Sequence, residues 1–316
     1  MLITFKKILV GLINVFSKLI YNFLLLKIIA IFLGPSGIGI YSQFRSFWQL
    51  STTFTNLNSS AFIVQRLSII ENKKIFFSNS FILILFLNII FFIILITNID
   101  FFANLIFLNN NEFYKKILFY SSFIIPLTSM IVYLFSSLNG FKLFYKHTIL
   151  SLVISSIYIF LTIYFSYYGA DFDIFSVLKI ILISEILSLI LLLLILFKYF
   201  YFKHLFILKI KEFLINQRNF VKNSSVFLIS GLVFLSSILI IKIIIINYLG
   251  YSKLGIFESA WAICIVLSFI ATKSLSFYYL PELSNLKTKD ISIVVNQYLL
   301  TSPVIICVLY IPLFLL

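Results

Sequence analysis

Residues 24–45 read LLLKIIAIFLGPSGIGIYSQFR. Two apolar runs meet at a Gly-Pro-Ser-Gly turn, with Lys27 inside the first run and Arg45 inside the second. Runs of this kind dominate the 316 residues: 62% are hydrophobic, 19% aromatic and only 11% charged, and the mean hydropathy is +1.15. A soluble surface cannot be covered with so little charge, since globular domains carry about 25% charged residues. Nine glycines, five prolines and two cysteines, Cys264 and Cys307, exclude collagen-like, disordered and disulfide-stapled classes. A polytopic all-α membrane protein is the remaining class.

A helix needs about 20 apolar residues to cross about 30 Å of hydrocarbon. Nine stretches satisfy this: 8–33, 38–66, 76–98, 117–138, 148–168, 174–198, 224–249, 254–280 and 292–316. The first is too long for a signal-peptide core and lacks a small-residue cleavage site, so it reads as a retained span. The run FFANLIFL (101–108) is too short to cross and is expected at the interface. Counted by alternate loops, 15 basic residues fall on the side of the N-terminus and 3 on the other. Basic loops stay cytoplasmic, which predicts a cytoplasmic N-terminus. The excess of 24 basic over 10 acidic residues is therefore topological, and no basic patch on a soluble surface points to nucleic acid.

The opening stretch has an echo. LIIKIIIINYLGYSKLGIF (239–257) aligns Lys242 with Lys27, Leu249-Gly250 with Leu33-Gly34, and Gly255 with Gly39; the loop ENKK (71–74) then falls opposite KTKD (287–290). Duplication is the better reading of that register. It predicts two parallel six-helix repeats: an N-terminal lobe (1–198), a basic cytoplasmic inter-lobe loop (199–223) and a second lobe (224–316) holding three helices. On this reading three further helices, on the order of 100 residues, are expected beyond Leu316, making the chain a C-terminally truncated form.

A charged residue at a helix centre costs about 2.5–3.5 kcal/mol on insertion scales, so intramembrane charges carry the functional signal. With Lys179 able to snorkel from a helix end, Lys18, Lys27, Arg45, Lys242 and Lys273 stand against Glu185 and Glu258. The surplus requires a hydrated cavity or an anionic ligand. In the second span Arg45, Gln49, Thr52, Asn56 and Ser59 recur at helical spacing as a polar stripe. That stripe is either cavity lining or interhelical hydrogen-bond glue. Asn14, Lys18 and Asn22 form a shorter stripe, and Glu258, Trp261, Ser268, Thr272 and Ser276 share a face of the eighth span. Glu258 is expected as the ion-pair partner of Lys242, in either a structural or a coupling role. Lys273 either snorkels or contacts ligand, Glu185 has no obvious partner, and Pro126 reads as a kink. His147 and His204 read as solvated loop residues. No Cys and His cluster has metal spacing and no Gly-rich phosphate loop occurs, so neither cofactor nor metal is expected.

Lys18, then Lys27-Ile28-Ile29-Ala30 and LGPSGIGIYSQFR (33–45), resemble the first two helices of O-antigen and polysaccharide flippases of the Wzx type, within the multidrug/oligosaccharidyl-lipid/polysaccharide exporter superfamily. GIFESAWAI (255–263) and SFYYLPELSNLKTKD (276–290) are similar to the eighth helix and following loop of that family. The resemblance implies a twelve-helix, two-lobed exporter of the bacterial inner membrane. Its substrate would be an undecaprenyl-pyrophosphate-linked oligosaccharide of lipopolysaccharide O-antigen or a related polysaccharide, and its possible partners a polysaccharide polymerase and a chain-length regulator. In that setting Lys18, Lys27, Arg45, Lys242 and Lys273 are expected to hold the pyrophosphate, and Gln49, Asn56 and Trp261 the glycan. A cation-coupled drug exporter of the same superfamily would need acids in the cavity. A membrane glycan polymerase would need a large outward loop, and the longest here is about 18 residues (99–116).

Overall fold

The computed structural model describes residues 2–168, 172–199 and 210–283. All regular structure in them is helical: α1 (Leu2–Thr55), α2 (Ser60–Ile69), α3 (Lys73–Thr97), α4 (Ile99–Phe107), α5 (Glu112–Gly140), α6 (Phe144–Tyr168), α7 (Ile174–Leu196), a 3₁₀ turn (Phe197–Tyr199) and α8 (Ile210–Leu283). Among the described residues six helical stretches are long and apolar enough to cross a membrane. Their outer faces carry residues such as Phe23, Phe86, Leu194 and Val226, each more than half exposed, as lipid contact requires.

Spans one and two meet at a break at Gly34 within α1, and spans seven and eight at a break at Gly250 within α8, each a pair of helices on either side of a kink, as expected. Gly34 (φ 65°, ψ −168°) and Gly250 (φ 77°, ψ 173°) make the kinks in nearly the same conformation, one open essentially only to glycine. The parse into spans is revised at two other places. The second span does not run unbroken to residue 66. It stops at Thr55, passes through Leu57 (φ 54°) and Asn58 (φ 44°), and restarts as α2. Finally, α8 begins at Ile210, so the latter part of the segment expected as a loop is helical. The predicted ninth span lies outside the described residues. The short run expected at the interface forms α4, which buries Ala103, Ile106 and Phe107.

Packing follows from small residues. α1 and α8 share the largest interface in the described structure. They touch backbone to backbone: a Cβ on Gly39 would collide with the carbonyl oxygen of Tyr251, and one on Gly255 with that of Pro35. Close approach through glycine is how membrane helices gain dispersion contact without a hydrophobic drive. Two buried apolar layers flank this crossing. One joins Tyr41, Phe44 and Phe47 of α1 to α4, α5 and α7; the other joins α2, α3, α5 and α6 around Phe77, Tyr133 and Leu134. Several hydroxyls inside the bundle are satisfied by backbone carbonyls: Tyr133 Oη donates across to Phe77 of α3 at 2.6 Å, and Thr162 and Ser188 donate back within their own helices to Tyr158 and Ser184.

The crossing therefore tolerates bulk less than the kinks tolerate a methyl group. Gly39→Leu or Gly255→Leu is expected to prevent folding of the detergent-solubilised protein. Gly34→Ala is expected to cost about 1–3 kcal/mol. Thermal unfolding followed by size-exclusion chromatography checks this order.

Candidate functional site: a buried charge cluster at the helix crossing

Lys242 and Glu258 lie on either side of the Gly250 kink, sixteen positions apart in sequence. A straight helix would hold them about 24 Å apart. The kink instead brings Lys242 Nζ to 2.7 Å from Glu258 Oε2, with both side chains 6% exposed or less. Lys242 also donates to the carbonyl oxygen of Ser42 on α1 at 3.3 Å. The pairing expected between these two residues is present.

Arg45 sits one turn further along α1, half-buried, within electrostatic range of Lys242, Tyr41 and Tyr21. No carboxylate pairs with Arg45 among the described residues. Lys242 and Glu258 neutralise one another, so the crossing holds one positive charge without a counter-ion in contact. Such a charge requires water or an anion.

A chain of polar groups extends from Arg45 into the N-terminal bundle. Trp48 donates to Thr128 Oγ1 at 3.0 Å, and the hydroxyls of Thr128 and Tyr158 face the carboxyl group of Glu185, which is 6% exposed. Tyr21 packs against Tyr158 at a tilt of 41°, with ring centroids 4.3 Å apart, and lies between the fields of Arg45 and Glu185. Glu185 thus has hydroxyl partners that were not legible in the sequence, because they come from α5 and α6. Gln43 was also missed. Its buried amide donates to the Ile106 carbonyl at 2.8 Å and ties α1 to α4.

The remaining expected site residues do not converge. Lys18 and Lys27 are nine residues apart, which places them on opposite faces of the first limb of α1. Lys18 is half-buried, its Nζ 5.1 Å from the Phe135 ring centroid, whereas Lys27 is exposed. His147 packs against the same Phe135 ring at 4.7 Å and is 6% exposed, so the reading of His147 as solvated is corrected. The stripe of the second span is also divided. Gln49 is exposed, Thr52 donates to the Trp48 carbonyl, and Asn56 is buried in the turn that ends α1, accepting from Ser59. Trp261 is exposed and stacks on Phe257, one turn earlier on α8. The side chain of Lys273 lies outside the described residues.

The sequence model of polysaccharide biosynthesis proteins matches residues 5–287. The chain belongs to the polysaccharide biosynthesis protein family. Comparison with curated proteins and with solved structures returned no significant match. The match spans both kinked helices, so the charged crossing of this polysaccharide biosynthesis protein lies wholly within the region that defines the family. Six apolar stretches long enough to cross a membrane make it a multi-pass membrane protein.

Removing one partner of the buried pair leaves the other charge stranded. Lys242→Met alone is expected to destabilise the protein by about 3–5 kcal/mol. Combining it with Glu258→Gln is expected to recover most of that loss. A double-mutant cycle on thermal stability in detergent reads the coupling.

Proposed function

We propose that this protein is a flippase that moves an undecaprenyl-pyrophosphate-linked oligosaccharide, an O-antigen or related repeat unit, from the cytoplasmic to the periplasmic leaflet of the bacterial inner membrane. Family membership supports the polysaccharide pathway. The observation that carries the substrate chemistry is the uncompensated Arg45 beside the neutralised Lys242–Glu258 pair. A diphosphate supplies the missing negative charge, and a guanidinium fork matches phosphate oxygens better than any other side chain. No bond is made or broken.

Two parallel repeats account for the matched kinks at Gly34 and Gly250 and for the meeting of Gly39 with Gly255. Rocking of one lobe against the other about this crossing would expose the charged site to each side in turn, with the lipid tail left in the bilayer. Lys18, beside His147, offers a second basic position on the way to it, and the basic loops orient the N-terminus to the cytoplasm. The drug-exporter alternative has weaker support, because Glu258 is consumed by Lys242 and Glu185 is buried beside the Tyr158 and Thr128 hydroxyls.

Arg45→Ala in the full-length protein is expected to abolish surface glycan while protein levels in the membrane stay near normal. Arg45→Lys should retain part of the export. Intact surface glycan in Arg45→Ala, measured by gel analysis of extracted polysaccharide, overturns the assignment.

A further inference from the structure

Far from the helix crossing, α2 and α8 flank an open groove, a cavity of about 320 Å³ lined by Phe62, Gln65, Arg66, Ile69, Asn223 and Phe227. Its volume is at the lower end of the range for ligand sites, about 300–1,000 Å³. Asn223 precedes Lys242 by nineteen residues on the same limb of α8, so the two lie about 28 Å apart along the helix. The cavity is a separate site near the opposite end of the membrane crossing.

Its construction is specific. The chain break at Leu57 and Asn58 places two consecutive non-glycine residues at positive φ, a costly conformation that surrounding contacts must hold. Asn58 is held by donating its side-chain amide to the Phe227 carbonyl at 2.6 Å, against Gly231, where a Cβ would crowd it. Phe220, 2% exposed, wedges between Phe62 and Phe76 with centroids 5.3 Å and 6.1 Å away, fixing α8 to α2 and α3. The Arg66 guanidinium lies 5.6 Å from the Phe62 ring centroid, which fixes the cation against the cavity wall.

The lining matches a phosphate on a lipid. Arg66 supplies the charge, the amides of Gln65 and Asn223 supply further donors, and no acid is among the lining residues. Ile69 (53% exposed) and Phe227 (38% exposed) give an apolar lip that a lipid chain can lie against. The neighbouring bases Lys73, Lys74, Arg218 and Lys222 place this end on the basic, cytoplasmic side of the predicted topology.

We infer that the α2–α8 cavity is a loading site that takes the diphosphate head of a polyprenyl-linked lipid from the cytoplasmic leaflet before it reaches the helix crossing. This assignment rests on the flippase reading. Several donors around one cation suit a diphosphate, whose charge and oxygen count exceed those of the single phosphodiester of a bulk phospholipid.

The test uses the full chain in detergent, with undecaprenyl diphosphate as the probe and native mass spectrometry as the readout. Phosphatidylglycerol serves as the bulk-lipid arm. Loss of the charge-assisted bonds in Arg66→Gln should weaken undecaprenyl diphosphate binding by about tenfold. Asn223→Ala should weaken it less, and phosphatidylglycerol should not displace the probe at equal concentration. Arg66 is exposed, so Arg66→Gln is expected to remain monodisperse. Undiminished binding in Arg66→Gln, equal displacement by phosphatidylglycerol, or no binding by the unmodified protein overturns the site. If binding survives Arg66→Gln while Arg45→Ala abolishes surface glycan, the loading site fails and the transport reading stands. If Arg66→Gln loses binding while Arg45→Ala exports normally, the cavity remains a diphosphate-lipid site and the crossing loses its role.

Discussion

The contact on which the rest depends is the meeting of two backbones at Gly39 and Gly255. With no side chain between them, α1 and α8 approach closely enough for Lys242 to reach the Ser42 carbonyl and for Glu258 to lie in the same dry interface. A wider crossing would admit lipid or water and raise the cost of both buried charges. The kinks at Gly34 and Gly250 serve the same end, since only a bent α8 can bring Lys242 and Glu258 within ion-pair distance.

Charge in a low-dielectric interior must be matched by another charge, by hydrogen bonds or by water. The chain uses each means at a different place. Glu258 matches Lys242, the Tyr158 and Thr128 hydroxyls lie beside Glu185, and aromatic faces accept Lys18 and Arg66. Arg45 alone among these lacks a matching group among the described residues. That asymmetry, in a chain of the polysaccharide biosynthesis protein family, is what the proposed diphosphate would satisfy. The cavity between α2 and α8 adds a second basic position, Arg66, away from the crossing.

Much of the architecture was legible in the residues. Unbroken apolar runs leave helices as the only way to satisfy backbone polar groups in lipid, so the class and most helix positions followed directly. Lys242 with Glu258 was also legible, because two opposite charges at one predicted depth have few other partners. The misreadings share a cause. Lys18 and Lys27 were assigned to one pyrophosphate site, yet nine residues turn them to opposite faces. His147 was placed in a loop by its lysine neighbours, yet Phe135 buries it. The polar stripe of the second span was extended through Asn56 and Ser59, where the chain leaves the helix through two positive φ values that side-chain polarity does not report.

Composition and charge asymmetry by themselves determined that this is a membrane-embedded helical protein, because the cost of placing a residue in hydrocarbon is set first by its type. The expected surplus of buried base is corrected by the fold, where among the described residues Glu185, Glu258 and Lys242 are the buried charged side chains and Lys18 and Arg45 are only half-buried. Which bases are neutralised, which acid finds hydroxyls, and where a cavity opens were decided only by tertiary structure. Those outcomes depend on distances between helices far apart in the chain, set here by two glycine kinks and one glycine contact.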